Sequence, residues 1–437
     1  MSDTILEQAW IKSKVLIKGL IIGVLVLLLL IPAYHVEHLI AEREARQKEA
    51  VREVSSRWAS RQIVSGPVLV LPYLQQGSGS GTSKQYAYFL PDELSVQGVI
   101  RPEQRTRGIY TVMLYGTDLQ LSGAFRNVPL EKLQIDPLLV RWNEAFVYLP
   151  LSDARGLQDE IHLQWNGRDL TLSPELNGVI QEGALAAPLS LNGPADLQQI
   201  RFSGRFSLKG SEQILFTPVG RTTRVDLQGR WPHPSFTGSL LPDHDIHSDS
   251  FRAGWKSGAH ARTFPQQWKG GANGSMDHTV RGRLAAGSFG VNLFVPVNGY
   301  QKVMRSVKYA VLCILLTFAA FFLMDTIHKK SVHPFQYGLI GLALVLFYVL
   351  LLSFTEYTGF DTAYAIAGSA TIGLIAWFVR GLLASGRLTA LLSLVLLFVY
   401  GYVFTILQLQ DYALLLGSVG LFLTLALVMH FSRRIQW

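Results

Sequence analysis

Two patterns of apolar positions divide this chain. Residues 15–34 (VLIKGLIIGVLVLLLLIPAY) form one long apolar run, and five more follow at 307–327, 335–354, 361–380, 388–407 and 411–431. A hydrocarbon core of about 30 Å takes roughly 20 apolar residues as helix, so each run predicts a transmembrane helix. Pro334, Gly359, Gly386 and Asp411 punctuate the gaps, and connections this short leave no room for domains between spans two to six. The first run exits through IPAYHVEHLI without an Ala-x-Ala-type cleavage site. That favours an uncleaved signal anchor over a cleaved signal peptide.

Between the first and second runs the pattern changes twice. Over 35–62, Val36, Ile40, Val51, Val54 and Trp58 fall near a 3.6-residue period while Glu and Arg cover the rest. This predicts an amphipathic stalk helix that packs on its own domain or meets a partner. After Ser65-Gly66-Pro67 the period becomes two. VLVLPY and QYAYFLP read as strands around a Gly/Ser tip at 77–81, and Leu119, Leu121 and Phe125 alternate with polar residues. Asn166-Gly167 between two alternating runs signals a type I′ hairpin. Alternation resumes over 200–230, and GSFGVNLFVP at 287–296 reads as a last strand. Short strands at this spacing predict a sandwich-like antiparallel domain over 63–305, long enough for one β-domain or two stacked units.

Charge adds direction. Only 16% of residues are charged against 49% hydrophobic, and the charge deficit is concentrated in the C-terminal runs. Lys12, Lys14 and Lys18 flank the first span, His328, Lys329 and Lys330 follow the second, Arg380 and Arg387 lie between the fourth and fifth, and Arg433 and Arg434 follow the sixth. The alternate loops hold Glu356 and Asp361, or Asp411, without Lys or Arg. By the positive-inside rule the N-terminus (1–14) and the tail (432–437) are cytoplasmic and 35–305 is outside. The net charge of +8 therefore reads as topology determinants plus solvated surface. With no aromatic-interleaved basic stripe, nucleic acid is not an expected partner. Cys313 is the only cysteine, which excludes an intrachain disulfide, thiolate metal sites of several cysteines and, from its place in an apolar run, thiol catalysis.

Three constellations invite chemistry. Asp243, His244, Asp245, His247 and Asp249 alternate carboxylate with imidazole and could ligate a divalent metal, or form an exposed polar loop whose ligands never gather. Trp231-Pro232-His233-Pro234-Ser235-Phe236 holds an imidazole and a hydroxyl on stiff backbone, which suits either a hydrolase or a rigid corner with Trp231 and Phe236 in the core. In the apolar runs Asp325, Arg380 and His430 sit near span ends and the span centres hold no ionisable group, which argues against a proton-coupled carrier. Small residues cluster at 363–373 in span four and suit close helix packing. P-loop, HExxH and Gly-x-Ser-x-Gly motifs are absent from the sequence.

Several long stretches resemble the CreD family of bacterial inner-membrane proteins. They are WPHPSFTGSLLPD at 231–243, SDARG at 152–156, GIYTVMLYGTDLQLSGAF at 108–125, YQKVMRSVKYAVLCILLTFAAFFL at 300–323, HPFQYGLIGLALVLFYVLLLSFTEYTGF at 333–360 and LQDYALLLGS at 409–418. The resemblance implies a Gram-negative inner membrane, a periplasmic site for the large domain, and a role in cell-envelope integrity associated with a two-component regulatory system. It carries no catalytic residue and no cofactor. The expected fold is thus an α+β membrane protein of six transmembrane helices, one N-terminal and five C-terminal, with a large antiparallel β-rich periplasmic domain. The expected function is non-enzymatic envelope support, with the lipid bilayer, envelope proteins or cell-wall components as partners. The alternatives are an envelope-modifying enzyme using 231–249 and a transporter or permease accessory.

Overall fold

A computed structural model describes residues 2–76, 82–174, 184–270, 278–293, 299–328 and 332–409, then 412, 415–420, 422, 426 and 429, with side chains from residue 17 onward except at 76, 184, 278 and 326–328. The Gly/Ser tip at 77–81, Lys329 and Lys330, His430, most of the expected span 411–431 and the tail 432–437 lie outside the described residues. So do the side chains of Lys12 and Lys14. Contacts divide the chain into two units, Glu49–Pro296 and the pair Met1–Lys48 with Val297–Trp437.

Helix α1 runs Ser2–Trp58 and contributes to both units. The strands that follow are β1 (Gln62–Ser65), β2 (Val68–Gln76), β3 (Thr82–Phe89), β4 (Glu93–Arg107), β5 (Tyr110–Arg126), β6 (Phe146–Pro150), β7 (Ile161–Trp165), β8 (Arg168–Leu172) and β9 (Ala184–Pro188). Then come β10 (Gln199–Ser211), β11 (Gln213–Thr217), β12 (Thr222–Gly229), β13 (Pro234–Gly238), β14 (Asp243–Ile246), β15 (Phe251–Gly258) and β16 (Gln267–Gly270). Helix α2 (His278–Ala286) precedes β17 (Phe289–Leu293).

These strands form three sheets, ordered β14-β15-β12-β4-β5-β10-β7-β8, β16-β3-β2-β6-β9 and β1-β11-β17-β13. Pairing is antiparallel except β1 with β11 and β12 with β4. Residues from all three sheets join one hydrophobic core, so this unit is one β-domain. The period-two expectation is met on β12 and over the first part of β4, while β6 and the first six residues of β2 are buried on both faces and β14 is exposed throughout. On β12 every second residue is buried, Val225 and Leu227 inward, and Arg224 and Asp226 outward. The Asn166-Gly167 hairpin forms as expected, with φ of 49° and 81° and Trp165 opposite Arg168. The Asn166 side chain then accepts the Arg201 amide at 2.8 Å, tying the turn to the neighbouring strand.

The other unit contains α3 (Gly299–Lys308), α4 (Ala310–His328), α5 (Pro334–Thr358), α6 (Phe360–Leu383) and α7 (Gly386–Gln408). Four described helices, α1, α5, α6 and α7, are long and apolar enough to cross a membrane, and α3 with α4 makes a fifth candidate bent by 44°. The bend refines the expected span 307–327. Within α3, Tyr300, Val303, Ser306 and Val307 are buried on one side and Gln301, Arg305 and Lys308 are exposed on the other. A two-faced helix of this kind does not continue into lipid on its own axis. Its Tyr300 hydroxyl donates to Glu356 at 3.0 Å, and Lys302 lies 3.8 Å from Asp361. At the opposite end of α5, His333 and Gln336 form a reciprocal N-terminal cap, with Pro334 in the first helical position. Gly341 on α5 lets α1 approach, since a Cβ there would fall 2.1 Å from Leu29 Cδ1.

Candidate functional site

The Trp-Pro-His-Pro stretch folds as a rigid corner. Trp231 is buried, and its indole N–H donates to the His233 carbonyl at 3.0 Å, between two prolines that fix φ. β13 starts at Pro234 and places Ser235 opposite Asn292 and Phe236 opposite Val291 on β17. The Phe236 ring packs edge-on against Phe251 and Trp255, with centroids 6.2 and 5.8 Å away. Gly238 closes the strand at φ 104°, where a Cβ would lie 2.2 Å from the Ser288 carbonyl oxygen, so only glycine fits. His233 and Ser235 are exposed, and neither side chain has a hydrogen-bond partner among the described residues. A nucleophile–base pair needs that bond and an acid behind the base. The described geometry supports a structural joint.

The neighbouring acidic stretch is an exposed edge strand. β14 pairs with β15 so that Asp243 faces Gly254, His244 faces Ala253 and Asp245 faces Arg252. Because alternate residues of a strand point to opposite faces, Asp243 and Asp245 lie on one side and His244 on the other, its ring 4.9 Å from Phe236. The His247 amide donates to the Ser250 carbonyl at 2.8 Å, and the Asp249 carboxylate accepts from the Ser250 hydroxyl at 3.0 Å. Among the described residues no group of three or more His, Cys, Asp or Glu could hold a metal ion. The register separates ligands that the sequence sets side by side.

Among the described residues, the most heavily bonded carboxylate belongs to the SDARG stretch. Asp153, buried, accepts from the Ser60 amide at 3.0 Å and the Ser60 hydroxyl at 2.8 Å. It also accepts from Arg155 through the backbone N–H, Nε and Nη2, at 3.1, 2.8 and 2.7 Å. Nη1 of Arg155 donates to the Ser56 carbonyl at 2.9 Å and so caps the last turn of α1. The Arg155 guanidinium, helped by both Ser60 donors, holds the Asp153 carboxyl well below the usual carboxylate range. A Cβ on Gly156 would lie 2.3 Å from the Lys209 carbonyl oxygen, so the motif's glycine is needed for close approach. The motif is a clamp on the end of α1.

In the helical unit the sequence gives Asp325 no partner, and the fold gives it one. Asp325 is 4% exposed and forms an ion pair with Lys18 of α1, 307 residues away in sequence. It also accepts from the Val332 amide at 3.3 Å and the Tyr337 hydroxyl at 3.4 Å. The only sequence signal is that both residues sit at the same predicted end of their spans.

A family model described as inner membrane protein CreD matches residues 14–437. The chain belongs to the CreD family. It is 30% identical over 421 residues to a protein of Escherichia coli (strain K12) described as inner membrane protein CreD, covering 94% of this chain and 91% of that relative. With its long apolar helices, the chain is a membrane protein of the CreD family. The structure shows what the family stretches build. SDARG clamps α1, WPHPSFTG makes the corner and the close β13–β17 approach, GIYTVMLYGTDLQLSGAF is strand β5, and the histidine at 333 caps α5.

Proposed function

We propose that this chain is an inner-membrane protein that supports the cell envelope without catalysis, its β-domain lying in the periplasm and meeting envelope components. The observation that carries the reading is the use made of the family stretches. Each described one holds a helix end, a strand or a corner in place. The side chains that could have carried chemistry, His233, Asp245 and His247, stand apart on exposed backbone. Orientation rests on the charge bias: Lys18, Arg380 and Arg387 at one set of span ends, Glu356 and Asp361 at the other. The name of the Escherichia coli relative agrees with the membrane assigned here.

Two experiments test this. In a deletion strain, entry of a normally excluded dye is measured with wild type or the His233→Ala/Asp245→Ala/His247→Ala variant restored. Full rescue by the variant is expected. Failed rescue at normal membrane level would establish 231–249 as a working site and overturn the non-catalytic reading. For orientation, a cysteine at exposed Gln97 is treated with a membrane-impermeant maleimide in cells whose outer membrane alone is opened. Labelling before lysis is expected, since the native Cys313 is buried. Labelling only after lysis would place the β-domain in the cytoplasm.

A further inference from the structure

The outward face of the eight-stranded sheet is mostly polar, and most of its arginines have acceptors. Arg101 binds Asp118 in a fork at 3.0 Å and a shorter second contact, Arg126 binds Glu93 at 2.6 Å, and Arg205 reaches Gln120 at 3.2 Å. Arg252 on β15 has none among the described residues, and three more such cations gather in one region. A shallow groove of about 540 Å³ crosses β15, β12, β4, β5 and β10, and Arg201, Arg224 and Lys256 line it. No hydrogen bond or ion pair engages these three side chains among the described residues, and all three are exposed. Arg224 and Lys256 are direct cross-strand partners. Like charges in that position destabilise a sheet, so the fold retains a cost here that a single acidic substitution would remove.

The nearest carboxylates do not relieve it. Glu93 is engaged by Arg126, and Asp226 lies two residues further along β12, outside the groove lining and without an ion pair. Between the cations the floor is low and hydroxyl-rich, made by Ser95, Ser122, Ala124 and Thr222. Arg224 and Arg201 are separated by β4 and β5. At about 4.8 Å per strand, with the two-residue offset in register, they rise roughly 15 Å apart.

We propose that this groove binds an elongated oligosaccharide carrying phosphate groups. Arginine suits phosphate through its planar fork of donors, and two cationic ends at this separation call for anions on a spacer. The floor hydroxyls and the Gln199 amide offer neutral donors and acceptors to sugar hydroxyls between them. The lining has no aromatic ring on which a nucleic-acid base could stack, and no exposed aromatic or aliphatic anchor of the kind that centres a protein interface. The inference deepens the reading that the β-domain meets envelope components, and it names the chemistry of one such contact.

The test uses the full chain in detergent micelles, so it does not depend on which side of the membrane the domain occupies. The probe is a glucosamine disaccharide phosphorylated at both ends, compared by calorimetry with the unphosphorylated disaccharide and with inorganic phosphate. Saturable binding of the bis-phosphate that weakens as salt is raised, at least ten-fold tighter than either comparison compound, is expected. The Arg201→Gln/Arg224→Gln/Lys256→Gln variant should lose at least ten-fold in affinity while keeping the wild-type melting temperature or exceeding it. Arg101→Gln, on the same face but paired with Asp118, should bind as wild type. Equal binding by the triple variant, equal binding of inorganic phosphate, or no saturable binding overturns the proposal. A failure here together with full rescue of dye exclusion by the 231–249 variant would discard the groove and leave the envelope reading standing.

Discussion

The β-domain and the helical unit bury charge in different ways. In the β-domain, Asp153 is surrounded by donors drawn from both backbone and side chain, and its partner Arg155 keeps most of its guanidinium in water, the side chain 64% exposed. In the helical unit, Asp325 has one cationic partner among the described residues, Lys18, whose side chain is itself only 23% exposed. The first carboxylate is itself buried, but it is held by a network of several donors whose cationic member is open to water. The second is neutralised by a lysine that is itself mostly buried, with the Val332 amide and the Tyr337 hydroxyl as longer contacts and little water to substitute for the charge. Hydroxyls do not follow this division. Each unit has buried ones with partners, Thr217 with Ser288 at 3.0 Å and Tyr364 with the Tyr400 carbonyl at 2.9 Å, and buried ones without a hydrogen-bond partner among the described residues, Thr117 and Ser257 in the one and Tyr400 in the other.

The largest effect is expected from breaking the buried pair on one side. Lys18→Met leaves Asp325 uncompensated and should cost about 3–5 kcal/mol of stability in detergent. The Lys18→Met/Asp325→Asn double variant should recover most of it, read from thermal unfolding of all four members of the cycle. If the double variant is no better than the single, the pair is not the source of the loss.

Asp153→Asn should cost about 2–3 kcal/mol, because the ionised acceptor of several donors becomes a neutral amide that matches fewer of them. The folded-state pKa of Asp153 lies below its unfolded value, so its contribution is complete above about pH 4 and disappears as pH falls through the folded value. The variant should therefore lose stability less steeply than wild type on acidification below pH 4, measured by unfolding at a series of pH values. Parallel acid limbs would show that Asp153 does not carry this dependence.

Smaller changes sharpen the contrast between corner and face. Trp231→Phe removes the donor to the His233 carbonyl and should cost about 1 kcal/mol, with dye exclusion unchanged. Arg224→Glu replaces a like-charge pair with an attractive one opposite Lys256 and should stabilise by a few tenths of a kcal/mol. A loss of stability there would mean that Arg224 has a partner that the sheet register does not show.

Much of the fold was legible because its signals are local. Turn chemistry at Asn166-Gly167, alternation over 222–229 and apolar runs of sufficient length each depend on neighbours within a few residues. The amphipathic character of α3 was present in GYQKVMRSVK, but the apolar run beside it masked the bend, since window hydropathy does not register a change of axis. At the candidate site the sequence left two readings open, gathered ligands or an exposed polar stretch, for a related reason. Asp243, His244 and Asp245 are adjacent in sequence, and the extended backbone of β14 turns them to opposite faces.

The sequence by itself determined that long apolar helices and a β-rich domain share this chain, which stretches carry each, and how cationic residues distribute among the span ends. These follow from solvent preference and local periodicity. Only the tertiary structure decided that Ser60, Asp153, Arg155 and the last turn of α1 form one clamp, that Lys18 meets Asp325, and that Arg224 and Lys256 stand opposite each other with no ion pair among the described residues. Those pairings join residues from about 30 to more than 300 positions apart. They depend on sheet order and helix packing, which are set by the complementarity of whole surfaces and not by the composition of any one segment.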